Sequence, residues 1–326
     1  MTIQMFIKKV EGYVFYRLVQ IGVFNKMSDE WYLRMLYGRR MHKKLNLNNP
    51  ITFNEKLQWL KLYDRNFMYT HMVDKADVKD YVAGQIGEKY IIPTLGVWDC
   101  FDDIDFDSLP NQFVLKCTHD SGGLVICRDK SKLDKEAVRK KIEKSLKRNY
   151  YFYGREWPYK NVKPRILAEE YMEDDSACNS KVKHNLNVYK IFNFNGEPKI
   201  IQSIQDDKTK NETIDYFDVD WNLLDLKQNF PNSKEPLPRP LQLEEMLELA
   251  AILSKGLCFL RTDFYVVNQK VLFSELTFYS DSGTARFDPP QWDYKLGSWL
   301  DLSPVSLSEV MKEKNENNEN NPSCLD

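Results

Sequence analysis

The segment 260–283, LRTDFYVVNQKVLFSELTFYSDSG, constrains the fold more than any other part of the chain. Valine, phenylalanine, tyrosine and leucine dominate both of its halves, and the triplet 268–270 is the only polar break between them. Two short runs of this composition around a three-residue loop predict an antiparallel β-hairpin. The register of that hairpin then decides which charged side chains meet.

A three-residue loop pairs Asp263 with Glu275 and Arg261 with Thr277. Because strands alternate with a period of two, all four side chains then lie on one face. Like charges directly opposite each other repel, so we interpret the acidic pair as a site for a divalent cation. A two-residue loop would instead shift the register, place Glu275 on the other face and leave the charged residues in water.

Composition excludes several classes of protein. The chain has 326 residues, 42% of them hydrophobic and 29% charged, which suits a soluble protein of one large or two ordinary domains. A net charge of −2 argues against a general nucleic-acid binder, and no apolar run is long enough to span a membrane. Six scattered cysteines without metal-type spacing predict free thiols and a reducing, cytoplasmic location.

The N-terminal segment differs in charge from the rest of the chain. Residues 1–45 carry nine Lys/Arg and three acidic residues, a net charge of +6. The first 24 residues have an amphipathic helical pattern, and their charged residues exclude a secretion signal. This helix either packs on the body of the protein or lies on the anionic inner face of a membrane.

Helices and strands mix irregularly with hairpins, which favours α+β layers with antiparallel sheets over a doubly wound parallel sheet. Asn195-Gly196 is the strongest short hairpin signal in the chain. Strands are predicted at 91–98, 113–117, 124–129 and 165–172 and on both sides of that turn, and helices at 48–65, 74–90, 241–256 and after Asp134.

The run FVLKCTHDSGG places Lys116 on a strand just before a polar, glycine-containing turn. It lacks the Walker pattern, but free amides of Ser121, Gly122 and Gly123 would still be able to close over phosphates, with Lys116 as a point charge. The alternative is a tight turn beside an exposed lysine.

Two further strands carry charged residues. RILAEEYM (165–172) is predicted to be a buried strand that ends in acidic residues. Its backbone N–H and C=O groups could bind an adenine and a following acid could bind the ribose. The alternative is a strand that ends at the solvent. In NVYKIFNFNG, Lys190 lies among apolar neighbours and either extends towards water or faces an anionic site.

The order of these features resembles the ATP-grasp superfamily of carboxylate–amine ligases. Within it, the chain is most similar to the TupA-like branch, which is associated with teichuronopeptide and surface-polysaccharide biosynthesis. The resemblance covers roughly residues 50–295. The segments that carry it are FNEKLQWLKLYDR, DKADVKDYV, FVLKCTH, REWPYKNVKPRILAEEYM and FSELTF.

The resemblance implies an α+β ATP-grasp fold with antiparallel sheets and a small lid subdomain, preceded by N-terminal helices. The expected divisions are a basic helical segment (1–50), a pre-grasp region (51–110), a lid subdomain (111–175), a C-terminal subdomain with the metal site (176–304) and a partly disordered tail (305–326).

The resemblance also implies roles for individual residues. Thr277 departs from the family pattern, in which asparagine is common, and His119-Asp120 is unusual in a lid. The implied set is Lys116 and Lys190 for the ATP phosphates; Ser121, Gly122 and Gly123 for the lid; Glu169, Glu170, Tyr171 and Met172 for adenine; Asp175 for ribose; Asp263, Glu275 and Thr277 for Mg²⁺; and Arg261 for the reacting phosphate and tetrahedral intermediate.

The implied activity is ATP- and Mg²⁺-dependent ligation through an acyl phosphate. The expected partners are a glycan or a nucleotide- or lipid-linked sugar, for instance a uronic acid, and an amino acid or amine. The alternative is a nucleotide-sugar glycosyltransferase, because Asp218-Val219-Asp220 matches the Asp-x-Asp pattern that holds a metal and a diphosphate.

Overall fold

The computed structural model describes residues 3–174, 186–207 and 209–305, with side chains described from residue 12 onward. Within these ranges the protein is α+β with two antiparallel sheets, as predicted. The helices are α1 (Ile3–Gln20), α2 (Asp29–Met41), α3 (Phe53–Tyr63), α4 (Met68–Val73), α5 (Asp77–Ile86), α6 (Lys135–Leu146), α7 (Tyr151–Gly154), α8 (Leu243–Ser254) and α9 (Gln291–Trp299). The strands are β1 (Thr94–Trp98), β2 (Phe113–Cys117), β3 (Leu124–Cys127), β4 (Ile166–Glu170), β5 (Val188–Phe194), β6 (Glu197–Gln205), β7 (Thr213–Phe217), β8 (Phe259–Val267) and β9 (Lys270–Thr277).

The N-terminal helices α1 and α2 pack on the body of the protein. The hydroxyl of Tyr32 donates to the carbonyl of Tyr153 at 3.0 Å. The buried guanidinium of Arg155 donates to the carbonyl of Phe24 at 2.6 Å. Helix α2 and the residues before it are thus fastened to the body, and α1 contacts the body through Tyr16, whose ring centroid lies 6.1 Å from that of Tyr153, while its other face is exposed. Within the described ranges, none of the helices combines the length and apolarity that crossing a bilayer requires.

The smaller sheet has the strand order β1-β4-β2-β3 within the described residues. Asp134 caps α6 as predicted, because its carboxylate accepts the amide of Ala137 at 3.0 Å. Helix α6 covers one face, where Val138 and Ile142 join the core formed by alternate residues of β2. The opposite face of β2 carries Lys116 into a cavity.

The larger sheet has the order β7-β6-β5-β8-β9 within the described residues. Its apolar side chains and those of α8 form the main core of the protein. The predicted Asn195-Gly196 hairpin is confirmed, with φ of 50° and 85° at the two turn residues. In this sheet Lys190, Asp263 and Glu275 lie side by side on three neighbouring strands.

The β8–β9 hairpin corrects one detail of the sequence analysis. Its turn has two residues, Asn268 and Gln269, with φ of 48° and 63°, and not three. A regular two-residue hairpin would place Asp263 opposite Ser274. A β-bulge at Ser274 shifts the register by one and restores the pairing of Asp263 with Glu275. The predicted pairing is correct, although the predicted loop length is wrong.

The described cysteines agree with the prediction of free thiols. Cys100 is exposed, and Cys117, Cys127 and Cys258 are buried without disulfide partners among the described residues. Two further cysteines, Cys178 and Cys324, lie outside the described residues.

Candidate active site

Two cavities meet above the row of charged residues on the larger sheet. The larger cavity, of about 680 Å³, lies between the two sheets and reaches the end of β4. The smaller cavity, of about 450 Å³, is bounded by the end of α2, the region 150–159 and the segment 277–285. Residues that line both cavities mark their junction, and these are Lys75, Asp120, Ser121, Lys190 and Glu275.

Arg261 organises the charged face at this junction. Its Nε and Nη2 donate to the two carboxylate oxygens of Asp263 at 2.7 and 2.8 Å. Nη2 also lies 3.2 Å from Glu275 Oε1 and 3.1 Å from Thr277 Oγ1. Nη1 donates to Ser280 Oγ at 3.3 Å. The four residues share one face as predicted, and Arg261 itself supplies positive charge between the two acids.

Lys190 lies on the other side of the acidic pair, with Nζ 3.1 Å from Asp263 Oδ2. Burial raises the pKa of Asp263, and the neighbouring charge of Glu275 raises it further, against the effects of Arg261 and Lys190. Burial opposes charge on Glu275 as well, but the charges of Lys190, Arg261 and Lys75 outweigh it and lower its pKa to about 2. The acidic pair therefore depends on the cations around it.

Lys116 enters the larger cavity from β2. Its ammonium forms an ion pair with the buried carboxylate of Glu169, which Lys79 also contacts at 2.7 Å. Burial opposes the charge of Lys116, yet the charge and hydrogen bond of Glu169, together with Tyr265 and Glu275, outweigh that effect and raise its pKa. Burial likewise opposes the charge of Glu169, and the two lysines reverse it and lower the pKa of the carboxyl. Lys116 is thus charged and directed at the cavity.

The turn between β2 and β3 corrects a second expectation. The amides of Gly122 and Gly123 are not free, because they donate to Asp120 Oδ1 at 3.2 and 2.9 Å. The other oxygen of Asp120 accepts a hydrogen bond from the hydroxyl of Ser145. The carboxylate of Asp120 thus occupies the place where amides would hold a phosphate.

The end of β4 and the residues after it line the far end of the larger cavity, where Tyr171 and Met172 lie. Arg128 Nε donates to the hydroxyl of Tyr171 at 3.1 Å. The amide of Glu170 donates to the carbonyl of Pro93 at 3.1 Å, so it is already used within the protein. Apolar side chains of Ile92, Ile126, Leu186 and Val188 complete a slot suited to a flat ring. The ribose candidate Asp175 lies outside the described residues.

The donor set fits magnesium. The carboxylate and hydroxyl oxygens of Asp263, Glu275 and Thr277 converge on one point, which Arg261 Nη2 occupies, so an ion at this point would take the place of that nitrogen. Mg²⁺ prefers oxygen ligands and is commonly held by one or two carboxylates together with substrate phosphates. Within the part of the chain that the structure describes, no cluster of three or more His, Cys, Asp or Glu offers a denser site.

The Asp-x-Asp pattern of the glycosyltransferase alternative lies elsewhere. Asp218 follows β7 and uses its carboxylate inside a turn, where Oδ1 accepts the amides of Asp220 at 3.1 Å and Asn222 at 2.8 Å. Neither aspartate lines either cavity. The pattern therefore closes a turn.

Sequence reasoning missed several residues of the site. Lys75 and Lys79 flank the start of α5, where DKADVKDYV marked the resemblance but no ligand role was assigned. Lys75 Nζ donates to the carbonyl of Asp120 at 2.5 Å and so joins the cavity junction. The four-residue spacing of the two lysines was an available signal. The other missed residues, which line the smaller cavity, are Arg40, Tyr150, Glu156, Tyr159 and Asp281.

Comparison with known proteins decides the family. A family model described as TupA-like ATPgrasp matches residues 55–301. The chain belongs to the TupA-like ATP-grasp family. The predicted family and the predicted α+β fold class are confirmed.

Solved structures similar to this TupA-like protein include D-alanine–D-alanine ligase from Helicobacter pylori, at 17% identity and a TM-score of 0.37, over 71% of this chain and 61% of that one. The ATP complex of the Bacillus anthracis D-alanine–D-alanine ligase matches at 15% identity and a TM-score of 0.39, over 76% and 70%. The biotin carboxylase domain of the Hydrogenobacter thermophilus 2-oxoglutarate carboxylase, with MgADP, matches at 17% and 0.37, over 64% and 40%. The chain thus spans less than two thirds of the Helicobacter enzyme. No curated protein matches the chain.

Proposed function

We propose that this protein is an ATP-dependent carboxylate–amine ligase of surface-polysaccharide biosynthesis that joins an amino acid or amine to a uronic acid. The observation that carries the proposal is the junction of two cavities at one charged face. Asp263, Glu275, Arg261 and Lys190 meet there, with Lys116 on the opposite wall of the larger cavity. Such a site can hold a nucleotide on one side and an acceptor on the other.

The larger cavity is the proposed ATP site. Its apolar slot near Tyr171 and Met172 accepts the adenine ring, and Lys116 and Lys190 face the phosphates. Asp263, Glu275 and Thr277 are the proposed Mg²⁺ ligands. The bound ion would neutralise phosphate charge beyond what the lysines supply. The amides of Ser121, Gly122 and Gly123 join the site only after Asp120 releases Gly122 and Gly123.

The smaller cavity is the proposed acceptor site. A carboxylate oxygen of the substrate attacks the γ-phosphorus of ATP, ADP leaves and an acyl phosphate forms. The nitrogen of the amine then attacks the carbonyl carbon, phosphate leaves and the amine loses a proton. Arg261 lines this cavity, where its guanidinium is positioned to stabilise the developing oxyanion.

The lining of the smaller cavity supports a polar, hydroxyl-bearing acceptor such as a uronic acid. Tyr150, Tyr159 and Tyr279 present aromatic rings, and Asn229 and Thr284 present polar groups. Aromatic rings beside hydrogen-bonding groups suit a sugar, whose faces are partly apolar and whose edges carry hydroxyls.

A thermal-shift comparison tests the nucleotide class. A ligand that binds the native state stabilises it by an amount that grows with the logarithm of the ligand concentration divided by Kd, and so raises the melting temperature. We expect stabilisation by Mg-ATP and little by Mg-UDP-sugars. Stabilisation by UDP-sugars alone would overturn the ligase assignment. Release of phosphate from ATP should then be assayed across a panel of uronic acids combined with amino acids.

We also propose that the N-terminal segment places the protein peripherally at the inner face of the cytoplasmic membrane. Residues 1–45 carry a net charge of +6. Large apolar side chains beside these charges are exposed, namely Tyr13, Tyr16, Ile21, Val23 and Trp31. Apolar groups beside positive charge match the chemistry of an anionic lipid surface.

Vesicle co-sedimentation tests this association. We expect the protein to sediment with vesicles containing phosphatidylglycerol and to remain in solution with phosphatidylcholine alone, and salt should weaken binding. Replacing both Ile21 and Trp31 by serine should reduce binding without changing stabilisation by Mg-ATP. Equal sedimentation with both lipids, or none with either, contradicts the proposal.

A further inference from the structure

The smaller cavity is lined by an arginine that does not belong to the charged face at the junction. Arg40, in the last turn of α2, lines this cavity. It lies before residues 55–301, which the family model covers, and belongs to the N-terminal helices instead. The amino-terminal segment therefore contributes directly to the proposed acceptor site.

The other cations of the smaller cavity are already engaged. Arg261 holds Asp263 through two nitrogens. Lys190 is paired with Asp263, and Lys75 donates to the carbonyl of Asp120. Arg40, in contrast, forms no ion pair with a carboxylate among the described residues, and its Nη1 donates to the neutral hydroxyl of Thr284 at 3.1 Å. The carboxyl of Glu156, which lines the same cavity, interacts with Arg40 without forming an ion pair with it. Among the described cations that line this cavity, Arg40 is therefore the one with no direct charged or backbone partner for its side chain.

Arg40 is also held in place. Arg286 Nε and Nη2 donate to the carbonyl of Arg40 at 3.1 and 2.7 Å. These bonds fasten the end of α2 to the segment that forms one wall of the cavity. The guanidinium of Arg286 adds a second positive charge nearby. The bonds from Arg286 anchor the backbone of Arg40, while its exposed side chain can offer planar, paired donors to a carboxylate or phosphate in the cavity.

We propose that Arg40 is a specificity-determining residue that binds an anionic group of the acceptor, separate from the atoms that react at Arg261. This inference rests on the proposed function in naming the bound molecule an acceptor. Binding of an anion at Arg40 can be tested without that function. The anion is a carboxylate of a sugar acid or amino acid, or the phosphate of a nucleotide- or lipid-linked sugar. Both chemistries suit the same guanidinium.

The test uses the full chain saturated with Mg-AMP-PNP, which fills the larger cavity so that added anions report on the smaller one. Glucuronate, L-glutamate and inorganic pyrophosphate are titrated by calorimetry, with glucose as the neutral control. The first two represent a carboxylate and pyrophosphate represents a linked phosphate. The variants are Arg40→Met, Arg40→Lys and, as a matched control, Lys140→Met, which removes an exposed charge of α6 outside both cavities.

We expect at least one anion to bind the wild type and glucose to bind weakly. Arg40→Met should lower the affinity for that anion by about tenfold or more, because it removes a charge-assisted hydrogen bond. Arg40→Lys should retain part of the affinity. Lys140→Met should bind as the wild type does. Equal anion affinity in Arg40→Met and wild type, or no anion bound by the wild type, overturns the inference.

Titration with AMP-PNP distinguishes failure of this inference from failure of the proposed function. AMP-PNP should bind all variants alike, because Arg40 does not line the larger cavity. If AMP-PNP does not bind even the wild type, the ligase proposal fails. Titration of the anions without nucleotide still decides the role of Arg40. A melting temperature of Arg40→Met equal to that of the wild type establishes that the variant is folded.

Discussion

Lys116 illustrates how one residue joins sequence, structure and proposed function. Its place on β2, opposite the core face, follows from strand alternation and was predictable from FVLKC. Its ion pair with Glu169 was not predictable, because the two residues are 53 positions apart and meet only when β4 pairs with β2. The lysine is therefore positioned before any nucleotide arrives.

Removing this ammonium gives a prediction at the residue scale. We expect Lys116→Ala to weaken ATP binding by about tenfold or more, because it removes a charge-assisted contact to phosphate. Lys132→Ala, a change at an exposed lysine outside both cavities, is the matched control. Calorimetric titration with Mg-ATP measures the effect. An unchanged affinity in Lys116→Ala removes the residue from the site.

The turn between β2 and β3, which the resemblance assigned to a lid, shows where local pattern reasoning was insufficient. The glycines of FVLKCTHDSGG indicated free amides, but a neighbouring side chain competes for them. Asp120 directly precedes the glycine turn and is well placed to accept its amides, as aspartate commonly does in turns. The sequence contained this signal in the unusual His119-Asp120 pair.

At the scale of elements, the β8–β9 hairpin shows what register reasoning can and cannot supply. The register derived from a three-residue loop correctly predicted that Asp263 and Glu275 face each other. The loop length and the bulge were not accessible, because a three-residue loop and a two-residue turn with a bulge give the same pairing at these positions. Only the backbone distinguishes them.

The turn itself provides a prediction. Gln269 has φ of 63°, in the left-handed region that costs a non-glycine residue stability. Asn-Gly is the preferred sequence for such a turn, so Gln269→Gly should stabilise the protein by roughly 0.5–1 kcal/mol. Denaturant unfolding measures the change. A destabilised Gln269→Gly variant contradicts the assignment of this turn.

At the scale of the whole molecule, the site depends on distant segments that no single motif reveals. The strand pattern and the family resemblance predicted an important part of the lining of the larger cavity, from Lys116 and residues 169–172 to Lys190, Asp263 and Glu275. The smaller cavity was not predicted, because it joins the end of α2, the region 150–159 and the segment 277–285. Those contacts arise only when the N-terminal helices pack on the sheets.

Lys61 holds part of this assembly together and carries a prediction. Its buried Nζ donates to the carbonyls of Gly154 and Ser282 at 2.8 and 2.9 Å, which links α3 to two walls of the smaller cavity. Burial lowers its pKa to about 8, and the nearby Glu156 opposes that effect. We expect Lys61→Met to lower the free energy of unfolding by about 1–3 kcal/mol, because it leaves the carbonyls of Gly154 and Ser282 without their donor and takes from the buried Glu156 the cation that most favours its charged form.

A second change distinguishes this cause from a general packing defect. Adding Glu156→Gln to Lys61→Met removes the carboxyl that has lost this cation and should recover part of the lost stability, as measured by denaturant unfolding. A double variant no more stable than Lys61→Met, or a Lys61→Met variant as stable as the wild type, contradicts this role.

The most direct test of the central claim is the Mg²⁺ dependence of ATP binding, measured by calorimetry for the wild type, Asp263→Asn and Glu275→Gln. Asp218→Asn, from the turn that uses the Asp-x-Asp pattern, is the control, and circular dichroism verifies folding. We expect Mg²⁺ to strengthen ATP binding in the wild type and in Asp218→Asn. In Asp263→Asn and Glu275→Gln, Mg²⁺ should strengthen ATP binding much less. A full Mg²⁺ effect in folded Asp263→Asn and Glu275→Gln would contradict the site described above.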